Sequence, residues 1–264
     1  MKNFNHIIEQ FKYHSLLYLL PSRDIKMLKD DKDGFIFTFY DEQLQLEELR
    51  FAVNDSKALL DILRKHPKEL LIPFVPKSWI PKLEDVGAKL RSVFKDYKKT
   101  DFSDVKITEN FLFLQRNEAE QASILTRQAT GESRGFFGQT KTWFEGWLDG
   151  SLEDVIENNL FVQSVIVKKN ENNQLIGLIC VGVHTKNNPT CWIRELVVDK
   201  TYANQKIAQN LLKQGLAYGK SKGAVQASLL VDELNINAIH IYSKFGFKPN
   251  DEDGQIDMIL NEKN

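Results

Sequence analysis

The hydrophobic positions in the second half of the chain alternate between the two-residue period of strands and the longer period of helices. Strands are predicted at residues 107–115, 160–168, 175–184, 191–198, 225–231 and 255–260. Helices are predicted at 117–128, around Trp143 and Trp147, from 207 onward and at 236–245. The order is therefore β-α-α-β-β-β-α-β-α-β, which predicts a mixed α/β domain.

The first hundred residues follow a coarser α/β pattern. A strand at 35–40 follows a turn at 31–34, the polar residues 54–56 cap a helix, and Pro81 stands near the start of another helix. The apolar run 70–76 is interrupted by prolines, so it predicts an edge strand or a strand end. The charged run 95–101 indicates a solvated boundary. We therefore expect two domains, 1–104 and 105–264.

Composition and charge narrow the possible classes of function. The chain has 264 residues and a net charge of −1, which does not favour nucleic acid or an anionic membrane as a partner. Cys180 and Cys191 are its two cysteines, and they predict buried thiols in a reduced, cytoplasmic protein. No apolar run has the length of a signal sequence or of a membrane-spanning helix. The histidines are scattered, so no metal site is expected.

Residues 192–212 predict a strand, a short polar turn and an amphipathic helix, in that order. Such a turn places backbone N–H groups at a helix N-terminus, where the helix dipole favours an anion. A phosphate-bearing cofactor is therefore expected at this turn.

The chain resembles the GNAT superfamily of acyl-CoA-dependent N-acyltransferases. The resemblance lies in the order of elements, in residues 195–202 (ELVVDKTY) with Ile207 and Ala208 opening a helix, and in residues 235–247 (NINAIHIYSKFGF). It covers residues 105–264 and implies an α/β (α+β) fold with a mixed central sheet flanked by helices, preceded by a smaller α/β domain. The family also occurs in tandem, and a degenerate GNAT-like half is one interpretation of residues 1–104.

The resemblance also implies an activity. It predicts an N-acetyltransferase that moves an acetyl group from acetyl-CoA to a primary amine by direct nucleophilic attack. The expected partners are therefore an acyl-CoA and an amine acceptor. The alternative is a non-catalytic acyl-CoA-binding or interaction module with a degenerate acceptor site.

The turn itself departs from the family pattern, which has Arg or Gln, two further residues, and then Gly-x-Gly/Ala. These positions are Ala203, Lys206 and Ala208 here, and only Ala208 fits. Because main-chain N–H groups bind the pyrophosphate, side chains matter mainly by leaving room for it. One interpretation gives Lys206 an ordinary helical conformation and an ammonium directed at a phosphate. The other makes Asn204 an N-cap and Lys206 a solvated first-turn residue.

The resemblance assigns roles to two residues of the 235–247 segment. Asn235 lies at a helix start and hydrogen-bonds near the pantetheine arm, and Tyr242 directs its hydroxyl at the cofactor sulfur. A neutral phenol can protonate the thiolate that leaves when an amine attacks a thioester. The helical spacing of Tyr242 with Ala238 and Phe245 predicts a buried ring, and the alternative role for Tyr242 is that of a core aromatic.

Glu195 lies in the strand before the turn, where the family often presents a carboxylate near the acceptor amine. A carboxylate can accept, through water, the proton that the ammonium must lose before attack. Strict alternation places Glu195 on one face with Ile193 and Val197, and these apolar neighbours would raise its pKa. The alternative is a glutamate that pairs with Arg194 or faces solvent.

The strand that carries Glu195 is also expected to act through its main chain. In this fold the strand separates from the next one, often at a bulge, and its free backbone groups near Val197 and Val198 pair with the amides of pantetheine. A backbone N–H there can also polarise the thioester carbonyl. The full set expected to bind the cofactor is Leu196, Val197, Val198, Ala203, Asn204, Gln205, Lys206, Ile207, Ala208, Asn235 and Tyr242.

The acceptor site is expected in the loop 131–135, just before the helix that carries Trp143 and Trp147. Glu132 can attract a cationic amine there, and Arg134 can attract a carboxylate. The alternative interpretation is a solvated loop above a packed helix.

Overall fold

The computed structural model describes residues 5–16, 24–41, 44–108, 110–128, 138–184 and 187–261. Its strands are β1 (Tyr13–His14), β2 (Lys26–Asp31), β3 (Gly34–Asp41), β4 (Leu46–Val53), β5 (Leu70–Ile72), β6 (Ala88–Lys99), β7 (Leu160–Lys169), β8 (Leu175–His184), β9 (Thr190–Val198), β10 (Gln226–Asp232), β11 (Lys248–Pro249) and β12 (Gln255–Leu260). Its helices are α1 (Asn5–Ile8), α2 (Lys57–Leu63), α3 (Ile80–Glu84), α4 (Ala119–Gln128), α5 (Lys141–Asp149), α6 (Glu153–Glu157), α7 (Ile207–Ser221) and α8 (Ile236–Lys244).

The chain forms two compact units. Met1–Phe94 and Asp253–Asn264 make up the first unit, and Lys95–Glu252 make up the second. The division therefore falls inside β6, ten residues before the expected boundary. The charged residues 95–101, which we expected to be a solvated boundary, continue this strand as far as Lys99. The segment is partly buried, and the Nζ atom of the buried Lys99 pairs with the Asp104 carboxylate at 2.7 Å.

The first unit contains an antiparallel meander β2-β3-β4, joined through α2 to β5, which runs parallel to β4. Its core packs Leu59 and Leu63 of α2 against Phe51 and Trp79. We expected residues 70–76 to lie at a sheet edge, but β5 lies between β4 and β12. The reason is that β5 ends at Ile72, so no proline interrupts its ladder.

The last strand, β12, has the predicted bounds but a different place. We expected it in the second domain, whereas it pairs with β5 and with the first part of β6 in the first unit. Its Ile256, Met258 and Leu260 are buried in the core of that unit. Strand β4 was not predicted, because the polar residues Glu48 and Arg50 interrupt its apolar pattern; both are buried and form an ion pair.

The second unit has a mostly antiparallel sheet with helices on both faces, which confirms the predicted fold class. Strands β7, β8 and β9 form an antiparallel meander, and β10 is parallel to β9. On one face, Leu211 and Leu216 of α7 pack with Ile179 and Val181. On the other face, Leu125 of α4 and Trp147 of α5 pack with Leu178 and Cys180.

Two local predictions in the second unit were wrong or incomplete. The described residues of the predicted strand 107–115, which are 107–108 and 110–115, form a single bridge from Phe113 to Ile166 instead of a strand. The segment leaves the sheet at Gln115, whose N–H binds the Glu118 carboxylate in a capping box that starts the next helix. The short helix α6 was not predicted. In the part of the chain that the structure describes, no helix has both the length and the apolar character needed to cross a membrane.

Candidate functional site

Strands β9 and β10 separate halfway along β9. They pair over four positions, from Thr190 with Gln226 to Ile193 with Leu229, and the ladder then ends. On the other edge of β9, the Asp199 N–H donates to the Ile176 carbonyl at 2.9 Å. Because main-chain direction alternates along an antiparallel strand, Leu196 and Val198 direct their N–H and C=O groups away from β8. They therefore face an open slot on the β10 side.

Val197 differs from Leu196 and Val198 in this respect. It pairs with Leu178 of β8. Asp199 hydrogen-bonds to β8, and Val197 is two residues before it, so the N–H and C=O groups of Val197 also point to β8. Its side chain is buried in the core below α4 and α5. Of the strand residues predicted to act through the main chain, Leu196 and Val198 are thus oriented for that role, and Val197 is not.

A β-bulge at Arg194 sets the direction of Glu195. Val181 of β8 pairs with Ile193 and Cys180 pairs with Glu195, so Arg194 is the extra residue of β9. Ile193 therefore packs on the α7 face, whereas Val197 packs on the α4 and α5 face. The expectation that Ile193, Glu195 and Val197 share one face was wrong, because strict alternation holds only where the register is continuous.

The Glu195 carboxylate is buried and hydrogen-bonded; the residue is 7% exposed. Its Oε1 accepts from Gln139 Nε2 at 2.7 Å and from Arg194 Nη1 at 2.8 Å. Burial raises the pKa of Glu195, and the nearby Asp154 charge adds to this rise, although Arg194 and the Gln139 hydrogen bond act in the opposite direction. Glu195 therefore has both the raised pKa of a base and the Arg194 pairing of the alternative interpretation.

Arg194 connects Glu195 to side chains on other elements of the second unit. Its Nε donates to Asp154 of α6 at 2.8 Å, and its guanidinium lies 5.6 Å from the ring centre of Trp143 and 5.8 Å from that of Trp192. Gln139 is 56 positions from Glu195 in the chain. No local pattern relates residues this far apart, so only the folded structure could reveal Gln139 and Asp154 as partners.

Tyr242 lies in α8 with its ring buried against Phe247, at a centroid distance of 6.0 Å. The residue is 8% exposed, as the helical spacing predicted. Burial raises the pKa of Tyr242, and the negative charge of Glu195 raises it further. The phenol therefore keeps its proton near neutral pH, and the two candidate acid–base residues influence each other electrostatically. His240 is exposed, as expected.

Asn235 begins α8, as the segment predicted. Its Oδ1 accepts a hydrogen bond from the Ala238 N–H at 3.0 Å, which is the geometry of an N-cap. The cap uses the side-chain oxygen, so the Nδ2 amide is the group that a ligand can bind.

The turn before α7 has an unusual backbone. Asn204 and Lys206 have φ values of 63° and 60°, both in the left-handed region. Lys206 is therefore not in the right-handed helical conformation that one interpretation required. Its left-handed conformation is one that glycine adopts more easily than lysine does. The first helical bond runs from Asn210 N–H to the Lys206 carbonyl at 3.0 Å. The N–H groups of Ile207, Ala208 and Gln209 precede it and have no helical acceptor.

This helix start fits an anion. No side chain caps α7 among the residues that the structure describes, and its first turn contains no acidic residue. Ala203, Asn204, Gln205 and Lys206 are exposed. Uncapped N–H groups at the positive end of a 15-residue helix form an anion site, and a pyrophosphate is of suitable charge.

Comparison with known proteins agrees with this geometry. Residues 134–247 match the model of the Acetyltransferase (GNAT) family. This stretch of the chain is therefore similar in sequence to that family.

Two solved structures resemble most of this chain in fold at low sequence identity. A GCN5-related N-acetyltransferase from Sphaerobacter thermophilus has 12% identity and a TM-score of 0.54, over 86% of this chain and 75% of its own. A functionally unknown conserved protein from Staphylococcus epidermidis has 15% identity and a TM-score of 0.51, over 89% and 93%. At these identities the likeness concerns the fold alone. A search of curated proteins gave no match.

The stretch that matches the family model contains the slot, the turn, Glu195, Asn235 and Tyr242. The two residues predicted to bind the acceptor, Glu132 and Arg134, lie outside the described residues, and Glu132 also precedes the family match. Among the described residues, no three His, Cys, Asp or Glu side chains are grouped to hold a metal ion.

Proposed function

We propose that this protein is an N-acetyltransferase that moves an acetyl group from acetyl-CoA to a primary amine. The observation that carries the proposal is the separation of β9 from β10 after Ile193 and Leu229, beside the uncapped start of α7. The slot offers main-chain hydrogen bonds, and the helix start offers an anion site. A long ligand with amides at one end and a pyrophosphate farther along matches both.

The main chain binds the cofactor in this proposal. The N–H and C=O groups of Leu196 and Val198 take the amides of the pantetheine arm as a missing strand would. The N–H groups of Ile207 and Ala208 bind the pyrophosphate. The Asn235 Nδ2 amide donates a further hydrogen bond near the arm. Acetyl-CoA supplies a thioester, whose carbonyl carbon is open to attack by an amine.

Two side chains move the protons. The Glu195 carboxylate accepts a proton from the incoming ammonium through water, and its raised pKa makes it a stronger base than an exposed glutamate. Gln139 and Arg194 hold the carboxylate in one orientation. The Tyr242 hydroxyl donates a proton to the departing sulfur. Because its pKa is raised by burial, the hydroxyl carries that proton at neutral pH.

We assign the reaction to the cytoplasm. Cys180 and Cys191 are buried free thiols in neighbouring strands of the same sheet. Burial raises the pKa of Cys191 to about 12, which keeps the thiol protonated and inert. Buried unpaired thiols fit a reducing compartment.

The Tyr242→Phe variant tests the proposal. It should bind CoA with unchanged affinity by calorimetry, and it should release CoA thiol from acetyl-CoA about 100-fold or more slowly with any accepted amine. Tyr218→Phe is the matched control, because Tyr218 is also a buried tyrosine of the same unit, 6% exposed. The control should keep full turnover. A Tyr242→Phe protein with unchanged turnover excludes the acid role.

A second function is favoured by one observation. The Glu195 carboxylate is already paired with Arg194, and this pairing makes it a weaker base than an unpaired carboxylate with the same burial would be. A non-catalytic acyl-CoA-binding module would therefore keep this geometry without turnover. Calorimetry and thiol release together separate the two functions, because the module binds CoA but consumes no acetyl-CoA with a broad panel of amines.

A further inference from the structure

The two units repeat one plan. In each, three antiparallel strands are followed by a helix and then by a strand parallel to the third: β2-β3-β4-α2-β5 in the first unit and β7-β8-β9-α7-β10 in the second. In each, the parallel ladder is short and lies at the start of both strands. In the first unit it has two pairs, Glu47 with Leu70 and Glu48 with Leu71.

In the first unit, strand β1 of the same chain fills the gap on the edge of β4 beyond the short β4–β5 ladder. Strand β1 pairs with the end of β4, Tyr13 with Val53 and His14 with Ala52. Strand β3 covers the opposite edge of β4 over its whole length, from Gly34 with Val53 to Asp41 with Leu46. Because a strand has only two edges, β1 must lie on the edge that β5 has left.

The main-chain contacts are those of a bound strand. The Ser15 N–H donates to the Phe51 carbonyl at 2.8 Å, and the Phe51 N–H donates to Ser15 Oγ at 2.9 Å. The Arg50 guanidinium donates to the Ser15 carbonyl at 2.5 Å. Phe51 lies three residues past the last β4–β5 pair, and Leu196 lies three residues past the last β9–β10 pair. The Phe51 main chain is therefore paired with Ser15, whereas the equivalent Leu196 main chain has no partner in the β10 ladder.

The helix start in the first unit is also closed to an anion. The Asp55 carboxylate accepts from the Lys57 N–H at 2.8 Å, so a negative side chain already binds the first N–H of α2. Helix α2 has only seven residues. Arg50 stands two residues past the last ladder pair, where the second unit has Glu195, and α3 contains no tyrosine.

We infer that residues 13–15 fill, in the first unit, the slot that stays open in the second, so that each chain binds a single CoA. The first unit is then a copy of the transferase plan that takes its own N-terminal segment as the strand ligand. This inference rests on the proposed function for the position of CoA in the second unit.

Binding stoichiometry tests the count of sites. The full chain is titrated with CoA by calorimetry, beside the variants Ala208→Asp and Asp55→Ala. A carboxylate at Ala208 suits the N-terminus of α7 but repels a pyrophosphate, so this variant should fold and lose all CoA binding. Asp55→Ala should still bind one equivalent. Two equivalents on the unmodified chain, or a full equivalent retained by Ala208→Asp, would overturn the inference.

Amide exchange of the full chain tests the occupied slot independently of turnover. Without CoA, the Ser15 and Phe51 amides should exchange at least ~10-fold more slowly than those of Leu196 and Val198. Of these four amides, only those of Leu196 and Val198 should gain protection when CoA binds. If the chain binds no CoA, the proposed function fails, yet slow exchange at Phe51 still supports a filled slot. Fast exchange at Ser15 and Phe51 would refute it.

Discussion

The Arg194 guanidinium donates from Nη1 to the Oε1 atom of its own neighbour, Glu195, at 2.8 Å. Consecutive residues of a regular strand point to opposite faces, so this pair depends on the bulge at Arg194. The guanidinium is also held by Asp154 at 2.8 Å. The pair keeps the carboxylate oriented, while burial still raises the pKa of Glu195.

Glu195→Gln should change how stability depends on pH. Because the pKa of Glu195 is higher in the folded protein than its ordinary value of 4.5, the folded state binds the proton more tightly. Its contribution to stability is therefore full below pH 4.5 and is lost as the pH rises to the folded-state pKa. The glutamine variant avoids this loss, so its melting temperature relative to the unmodified protein should be higher at about pH 8 than at about pH 4.

Glu120→Gln is the control for this pH dependence. Glu120 is an exposed residue of α4, so its replacement should change the free energy of unfolding by no more than about 0.5 kcal/mol. If Glu195→Gln shifts the melting temperature equally at both pH values, the pKa of Glu195 does not differ between the folded and unfolded states.

Lys206→Gly should stabilise the protein, because glycine reaches a φ of 60° without the clash that an L-residue meets. The expected gain in the free energy of unfolding is about 1 kcal/mol. Lys206→Ala removes the same charge but keeps the β-carbon, so its stability should stay close to that of the unmodified protein. Thermal melts give the stabilities, and CoA calorimetry should show similar affinities for all three proteins. A tenfold loss of affinity in both variants would instead assign the ammonium to a phosphate.

The two roles of Asn235, in capping α8 and in binding CoA, can be tested separately. Asn235→Ala loses the cap to Ala238 and should lower the free energy of unfolding by about 1 kcal/mol. Asn235→Asp keeps an oxygen for the cap but loses the Nδ2 donor. The free energy of unfolding should therefore stay unchanged, while the affinity for CoA falls about fivefold. Denaturant titration and CoA calorimetry measure the two effects. Unchanged CoA affinity in the aspartate variant would leave Asn235 with the capping role alone.

Two helical glycines should respond in opposite ways to alanine. A β-carbon at Gly219 of α7 would lie 2.4 Å from Cys191 Sγ and 2.5 Å from its Cβ, so Gly219→Ala should cost about 1–3 kcal/mol. At Gly146 of α5 the nearest atom would be 3.4 Å away, which is ordinary contact. Gly146→Ala should therefore gain about 0.5–1 kcal/mol from the better helix former. Urea unfolding of both variants measures the difference, and equal effects would contradict the close packing of α7 on β9.

Local sequence patterns predicted most elements of the second unit. Strand β8 has its predicted bounds, and α4, α8 and β10 end within one or two residues of theirs. The hairpin between β7 and β8 follows from the asparagine-rich turn, in which Asn173 has a φ of 61°. The period of apolar residues and the chemistry of turns are properties of a few consecutive residues. They were therefore available before any tertiary structure was known.

The sequence by itself determined the strand–turn–helix order of residues 192–212, the cap at Asn235 and the buried ring of Tyr242. The tertiary structure decided the rest of the site. The bulge at Arg194, the partners Gln139 and Asp154, and the occupation of the β4 edge by β1 depend on register and on contacts between distant segments. Register is fixed by which strand lies alongside and by which residues share a core, and no short window of residues contains that information.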